Sequence, residues 1–269
     1  DSFACDGATA TFRIKDANTS LYNYSWDNGS TATERTETIT EDKTFKLSVE
    51  DKTTHCVGHT EYKVAKKDIP TLSVGYNNKT VTSALFVCKG STLGDVTASS
   101  NSSDTPTFWW EENGSTINED KILNGIIIEK ARRFTAFTKT KYGCKASQEV
   151  EVNYWSLPEV DLTLDNKVCN NGKAELTANA SEGTAPYTYA WSIDKNATLN
   201  ETDKNKVVTS DNKAVTSELS EATGTYNVTV QVTDSKGCKS NSTTQEIVVS
   251  KTPTIVISIT GGKNTVCEG

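Results

Sequence analysis

The sequence predicts an all-β fold of small antiparallel sandwiches in series, and three observations carry that expectation. Threonine, serine and asparagine supply about a third of the chain, with 41 threonines alone, and threonine suits a half-buried pleated surface better than a helix. One short cysteine-containing phrase recurs four times along the 269 residues. Where apolar residues are regular, they alternate with a period of two rather than 3.6.

Composition sets the scale. Hydrophobic residues make up 35% of the chain, or about 41% with the 16 glycines, against the roughly 45–50% usual for a globular chain. Each core must be small, and the length suits two or three domains. A net charge of −7 with no Lys/Arg block removes the counterion release that drives nucleic-acid binding. Nucleic acid is therefore not an expected partner. No stretch approaches 18 apolar residues, so membrane insertion is not expected either. No leader precedes Asp1 and methionine is absent, which predicts a processed or internal segment of a longer exported chain.

The repeat gives the elements their order. Phe-Ala-Cys5-Asp-Gly, Phe-Val-Cys88-Lys-Gly, Lys-Val-Cys169-Asn-Asn-Gly and Thr-Val-Cys267-Glu-Gly lie 81 to 98 residues apart. Some 21 or 22 residues after each of the first three comes an aromatic run ending on Trp26, Trp110 or Trp191. Two of these runs follow a proline turn, at Pro106 and Pro186, as a loop feeding a strand would. A second cysteine follows a tight turn in Lys52-Thr-Thr-His-Cys56, Lys141-Tyr-Gly-Cys144 and Ser235-Lys-Gly-Cys238. Pro70, Pro158 and Pro253 each open a short β-branched run, a position proline tolerates. The expected domains are 1–68, a repeat lacking its first strand; 69–155 and 156–251, two complete repeats; and 252–269, the first strand of a fourth.

Inside a repeat the strands are legible. Tyr226, Val228, Val230 and Val232 share one face against Asn227, Thr229, Gln231 and Thr233, and Phe45, Leu47 and Val49 do the same earlier. Several short strands per repeat, with turn signals every 8 to 12 residues, predict a seven-strand antiparallel immunoglobulin-like sandwich. Trp26, Trp110 and Trp191 belong on the third strand, between the sheets.

The cysteine openings, Tyr187-Thr-Tyr189-Ala-Trp191, and the run from Gly224 through Tyr226 and Asp234 to Cys238 resemble the PKD and immunoglobulin-like tandem repeats of large cell-surface proteins of Bacteroidota, gliding-adhesin repeats included. The third repeat carries the resemblance best. It implies an extracellular, non-catalytic module repeated along an adhesin or filament, with no active site.

All seven cysteines, Cys5, Cys56, Cys88, Cys144, Cys169, Cys238 and Cys267, are expected in structural disulfides, since two positions recur per repeat and none has zinc-site spacing. Two pairings stay open. Sequential pairing joins Cys5 to Cys56, Cys88 to Cys144 and Cys169 to Cys238. Pairing across a head-to-tail junction joins Cys5 to Cys144 and Cys88 to Cys238, because the turns bearing the two cysteines lie at opposite ends of one sandwich. Either leaves Cys267 for a partner beyond the window.

Other constellations are weaker. His55 and His59 flank Cys56 as a metal site would, but the other repeats carry no histidine there, so they are expected as exposed turn residues and no metal or cofactor is expected. Asn-x-Ser/Thr occurs at Asn18, Asn23, Asn28, Asn78, Asn101, Asn113, Asn179, Asn196, Asn200, Asn227 and Asn241, a candidate glycan coat. Glu111 and Glu112 fit a strand end better than a general acid/base pair. Trp155 is assigned to a repeat junction, and Trp109 is the candidate ligand contact, facing away from Trp110.

The expected function is a non-catalytic structural or adhesive segment of a long extracellular fibre. Its partners would be neighbouring repeats of the same or an identical chain, with surface polysaccharide as a further candidate. The alternative is a carbohydrate-binding or spacer array of a secreted polysaccharide-degrading enzyme. A third reading has residues 252–269 completing the first repeat of another copy.

Overall fold

The computed structural model describes residues 2–200, 202, 204–220 and 224–258. It divides into two compact units, Asp1–Tyr154 and Trp155–Gly269. Among the described residues every regular element is a strand.

The first unit opens with β1 (Ser2–Cys5), β2 (Ala8–Arg13), β3 (Tyr22–Trp26), β4 (Glu34–Ile39), β5 (Lys43–Asp51) and β6 (Val57–Lys67). They form a sheet ordered β1-β6-β5-β3 facing the pair β2-β4. Between them lie buried Tyr24, Trp26, Ile39, Phe45, Leu47 and Val64. The alternation in β5, with Phe45 and Leu47 inward and Lys46 and Ser48 not buried, is what a strand with one face on the core requires.

The same unit continues through β7 (Leu72–Tyr76), β8 (Lys79–Thr80), β9 (Leu85–Cys88), β10 (Val96–Ser100), β11 (Thr107–Glu112), β12 (Ser115–Asn118), β13 (Ile122–Leu123), β14 (Arg132–Lys139) and β15 (Lys145–Trp155). Sheets β13-β10-β7-β8 and β12-β11-β14-β15-β9 enclose a second core centred on Trp110, Phe134 and Val150.

The second unit holds β16 (Pro158–Leu164), β17 (Lys167–Cys169), β18 (Glu175–Glu182), β19 (Thr188–Ile193), β20 (Lys206–Thr209), β21 (Lys213–Val215), β22 (Gly224–Thr233) and β23 (Thr243–Ser250). Sheets β16-β18-β21 and β17-β23-β22-β19-β20 close on a third core around Trp191. The fold is all-β, in tandem immunoglobulin-like sandwiches.

Two expectations need correction. The sandwiches are not wholly antiparallel, because β1 runs parallel to β6 and β17 parallel to β23. In the third sandwich the opening run pairs with β18 as β16 and then crosses to the other sheet as β17, and that crossing forces the parallel contact. Residues 252–258, expected as the start of a strand, are unpaired. Residues 259–269, with Cys267, lie outside the described residues.

Candidate functional site

The chemistry of this molecule is concentrated at the ends of its strands. Cys5 ends β1 beside Lys67 at the end of β6, and Asp6 N–H donates to the Lys67 carbonyl at 2.8 Å. Cys144 sits in the β14–β15 hairpin of the next sandwich and is buried. The two form a disulfide with Cα atoms 5.5 Å apart and 139 residues between them in sequence, a separation ordinary for a bridge. Around it, the Phe3 and Tyr142 ring centroids are 4.8 Å apart. Lys67 Nζ lies 5.1 Å from the first centroid and 4.6 Å from the second, within cation–π range. A covalent bond and an aromatic clamp thus join the first sandwich to the second.

Sequential pairing is overturned at this point. Cys5 stands level with Lys67 at one end of β6, whereas Cys56 precedes the other end, about 35 Å away at the rise of an extended strand. Cys5 and Cys56 cannot meet.

The hairpins bearing the second cysteines share one geometry. Asp51, Thr140 and Asp234 N–H donate to the carbonyls of Cys56, Cys144 and Cys238 at 3.0, 2.9 and 2.9 Å. The residue before each cysteine is left-handed: Gly143 at φ 90°, Gly237 at φ 84° and His55 at φ 56°. Glycine takes that region without a Cβ penalty, and His55 is the uncommon tenant. Cys88 and Cys238 are disulfide-bonded as well. Cys56 and Cys169, expected in disulfides, are instead exposed free thiols.

Lys236 Nζ lies 5.6 Å from the Trp155 ring centroid. By sequence position, three residues before Pro158 as Lys67 is before Pro70, Trp155 occupies the place of Lys67, and Lys236, two before its cysteine, that of Tyr142, so cation and aromatic have exchanged sides. This clamp was invisible to a search for repeated residue types. A search for complementary types at paired positions finds it.

A second feature belongs to the first sandwich. An open groove of about 560 Å³ runs between β2 and the β1-β6 edge, lined among others by Phe12, Trp26, Phe45, Thr60 and Tyr62. At the same core, buried Arg35 has its guanidinium carbon 4.7 Å from the Phe45 centroid and is bonded to Asp27 and Glu37. Burial raises the Asp27 carboxyl, but the hydrogen bond and charge of Arg35 outweigh it, so the net shift is downward. Nothing in the sequence marks Arg35, since arginines are rarely interior.

The remaining candidates are placed as follows. Trp26, Trp110 and Trp191 are buried. Trp109 is half-buried, stacked on Phe137 at 5.0 Å, with its Nε1–H donating to Glu111 at 2.8 Å. Glu112 is paired with Arg132, which holds its carboxyl below the usual range. His55 and His59 are exposed and contact Glu50 and Ser48 at 2.9 Å each; His59 lies on β6 rather than in a turn. Among the described residues no three His, Cys, Asp or Glu converge as metal ligands. The eleven sequon asparagines are all exposed, and Asn23 and Asn227 donate their amides to Glu50 and Asp194.

No protein-family model and no curated protein matches the chain. Among solved structures it is similar to the N-terminal eight immunoglobulin domains of Down syndrome cell adhesion molecule, at 15% identity and TM-score 0.40, over 91% of this chain and 33% of that one. The chain thus spans a third of that molecule's length. Titin domains I67–I69 align at 10% identity and TM-score 0.40 over 94% and 95%. The fibronectin(III)-like modules of Clostridium thermocellum CbhA align at 15% identity and TM-score 0.36 over 67% and 95%.

Proposed function

We propose that this chain is a non-catalytic structural or adhesive segment of a long extracellular cell-surface fibre, akin to the PKD and immunoglobulin-like repeats of Bacteroidota surface proteins. Its domains are 1–68, 69–155 and 156–251, with 252–269 opening a fourth. One observation carries the reading: the disulfide that ties Cys5 of one sandwich to Cys144 of the next. A bond inside a domain stabilises that domain, whereas a bond across a junction transmits load past it. Structural disulfides persist in oxidising compartments, which supports an extracellular setting. The rule it sets is that the first cysteine of one sandwich bonds the second cysteine of the next. The exposed sequon asparagines would carry glycans, giving an intact mass above the bare 29.2 kDa; an unshifted mass contradicts the coat.

Pulling single molecules by their ends tests the reading. With that staple closed, force runs along residues 1–5 and 144–269 alone. Extension then stops near half of the full contour, taking about 3.5 Å per residue, and reductant releases the rest. Full extension without reductant overturns it.

A further inference from the structure

Among the described residues β2 pairs with β4 on one side alone. Its counterpart in the third sandwich, β18, lies between β21 and β16. There Pro158, Val160 and Leu162 point into the core while Glu159 and Asp161 face out. The opposite sheet holds that strand by its carbonyls: Thr243 Oγ1–H donates to Val160 at 3.0 Å and Gln245 Nε2–H to Leu162 at 2.7 Å. Strand register makes Thr60 the counterpart of Thr243, since Trp191 pairs through Val230 to Thr243 as Trp26 pairs through Leu47 to Thr60. Thr60 lines the open groove.

A fitting strand stands elsewhere in the same chain. Pro253, Ile255 and Ile257 repeat the spacing of Pro158, Val160 and Leu162. Ile255, Val256 and Ile257 are 85%, 83% and 89% exposed, and the segment pairs with nothing. Consecutive β-branched residues so exposed mark an interaction surface.

We infer that residues 253–258 of one copy add as an antiparallel strand to the free edge of β2 in a second copy, with Ile255 and Ile257 seated in the groove of Phe12, Trp26 and Phe45. Strand addition supplies main-chain hydrogen bonds and lets alternate side chains fill pockets. Ile14 N–H bonds the Thr33 carbonyl, so ladder alternation turns the N–H groups of Thr9, Thr11 and Arg13 toward the free edge. The acceptor sandwich then follows the third sandwich of the donor as the second follows the first. By the staple rule the cysteines meeting there are Cys169 of the donor and Cys56 of the acceptor, the two exposed free thiols. Their joining forms one S–S bond and passes two protons and two electrons to a small-molecule disulfide oxidant, which becomes two thiols. This thiol step rests on the head-to-tail reading above; the strand docking does not.

The full chain, at several hundred micromolar in reduced and oxidised glutathione, is followed by sedimentation and non-reducing peptide mapping. The expected result is concentration-dependent oligomers carrying a Cys56–Cys169 peptide. Ile255→Asp with Ile257→Asp, in an exposed segment outside every core, lowers their yield at least tenfold without moving the unfolding of any sandwich. Thr11→Pro does the same from the acceptor side. A monomeric chain, or oligomers indifferent to the aspartates, overturns the docking. So does binding of a synthetic 251–258 peptide to a chain that stays monomeric, because the groove then does not recruit a second copy. Strand-dependent association without the Cys56–Cys169 peptide sustains the docking and contradicts the staple rule, which keeps the two failures apart.

Discussion

The first and third sandwiches are built from the same phrase and solve the core problem differently. Among the described residues the third buries eighteen hydrophobic residues in one cluster, the first six. Trp191 is 1% exposed, whereas Trp26 is 7% exposed at the edge of the groove and donates its indole N–H to the Ala32 carbonyl at 2.8 Å. The difference follows from β16, whose inward Val160 and Leu162 have no equivalent over β2. Where the third sandwich relies on aliphatic packing, the first relies on a buried Arg35 network and on its disulfide to the second. A small domain with an unfilled core needs such a staple.

The largest effect should come from removing that staple. Cys144→Ser frees a 139-residue loop, worth up to about 5 kcal/mol by chain entropy. Denaturant titration should show the first sandwich unfolding earlier while the transition of the third stays in place. Trp191→Ala should reverse that pattern, costing the third sandwich about 3–5 kcal/mol. The matching Trp26→Ala should cost about half as much, because its site already opens on the groove. Fusing residues 252–264 ahead of Asp1 should raise the unfolding free energy of the first sandwich by about 3 kcal/mol as two isoleucines are buried; an unmoved midpoint would mean the groove does not take this strand. The smallest effect is electrostatic. Asp27 titrates below its ordinary 3.8 in the folded state, so its contribution is fully present above that value. It should fade as pH falls through the folded value, by about 1 kcal/mol or less because the Asp27 carboxylate is partly open to solvent, and the first sandwich should show it in acid titration.

Most of the fold was legible because its signals are local. The period of two along Tyr226 to Val232 and the spacing from each cysteine to Trp26, Trp110 and Trp191 depend only on neighbours in sequence. The parallel pairing of β1 with β6 was not, since a strand crossing between sheets leaves no periodic trace. The staple was half legible: opposite turns argued for Cys5 with Cys144, but connectivity is a tertiary property. Cys56 and Cys169 are the cysteines that the junction pairing leaves over, but sequential pairing bonds both, and their local sequence matches the repeat as well as that of the bonded ones does. Arg35 and the exchanged pairs of Lys67 with Tyr142 and Trp155 with Lys236 were missed because their chemistry resides in partners brought together by folding.

Non-reducing peptide mapping of the oxidised full chain tests the junction staple most directly. The predicted result is a linked pair of peptides containing Cys5 and Cys144. A peptide linking Cys5 to Cys56 would contradict it.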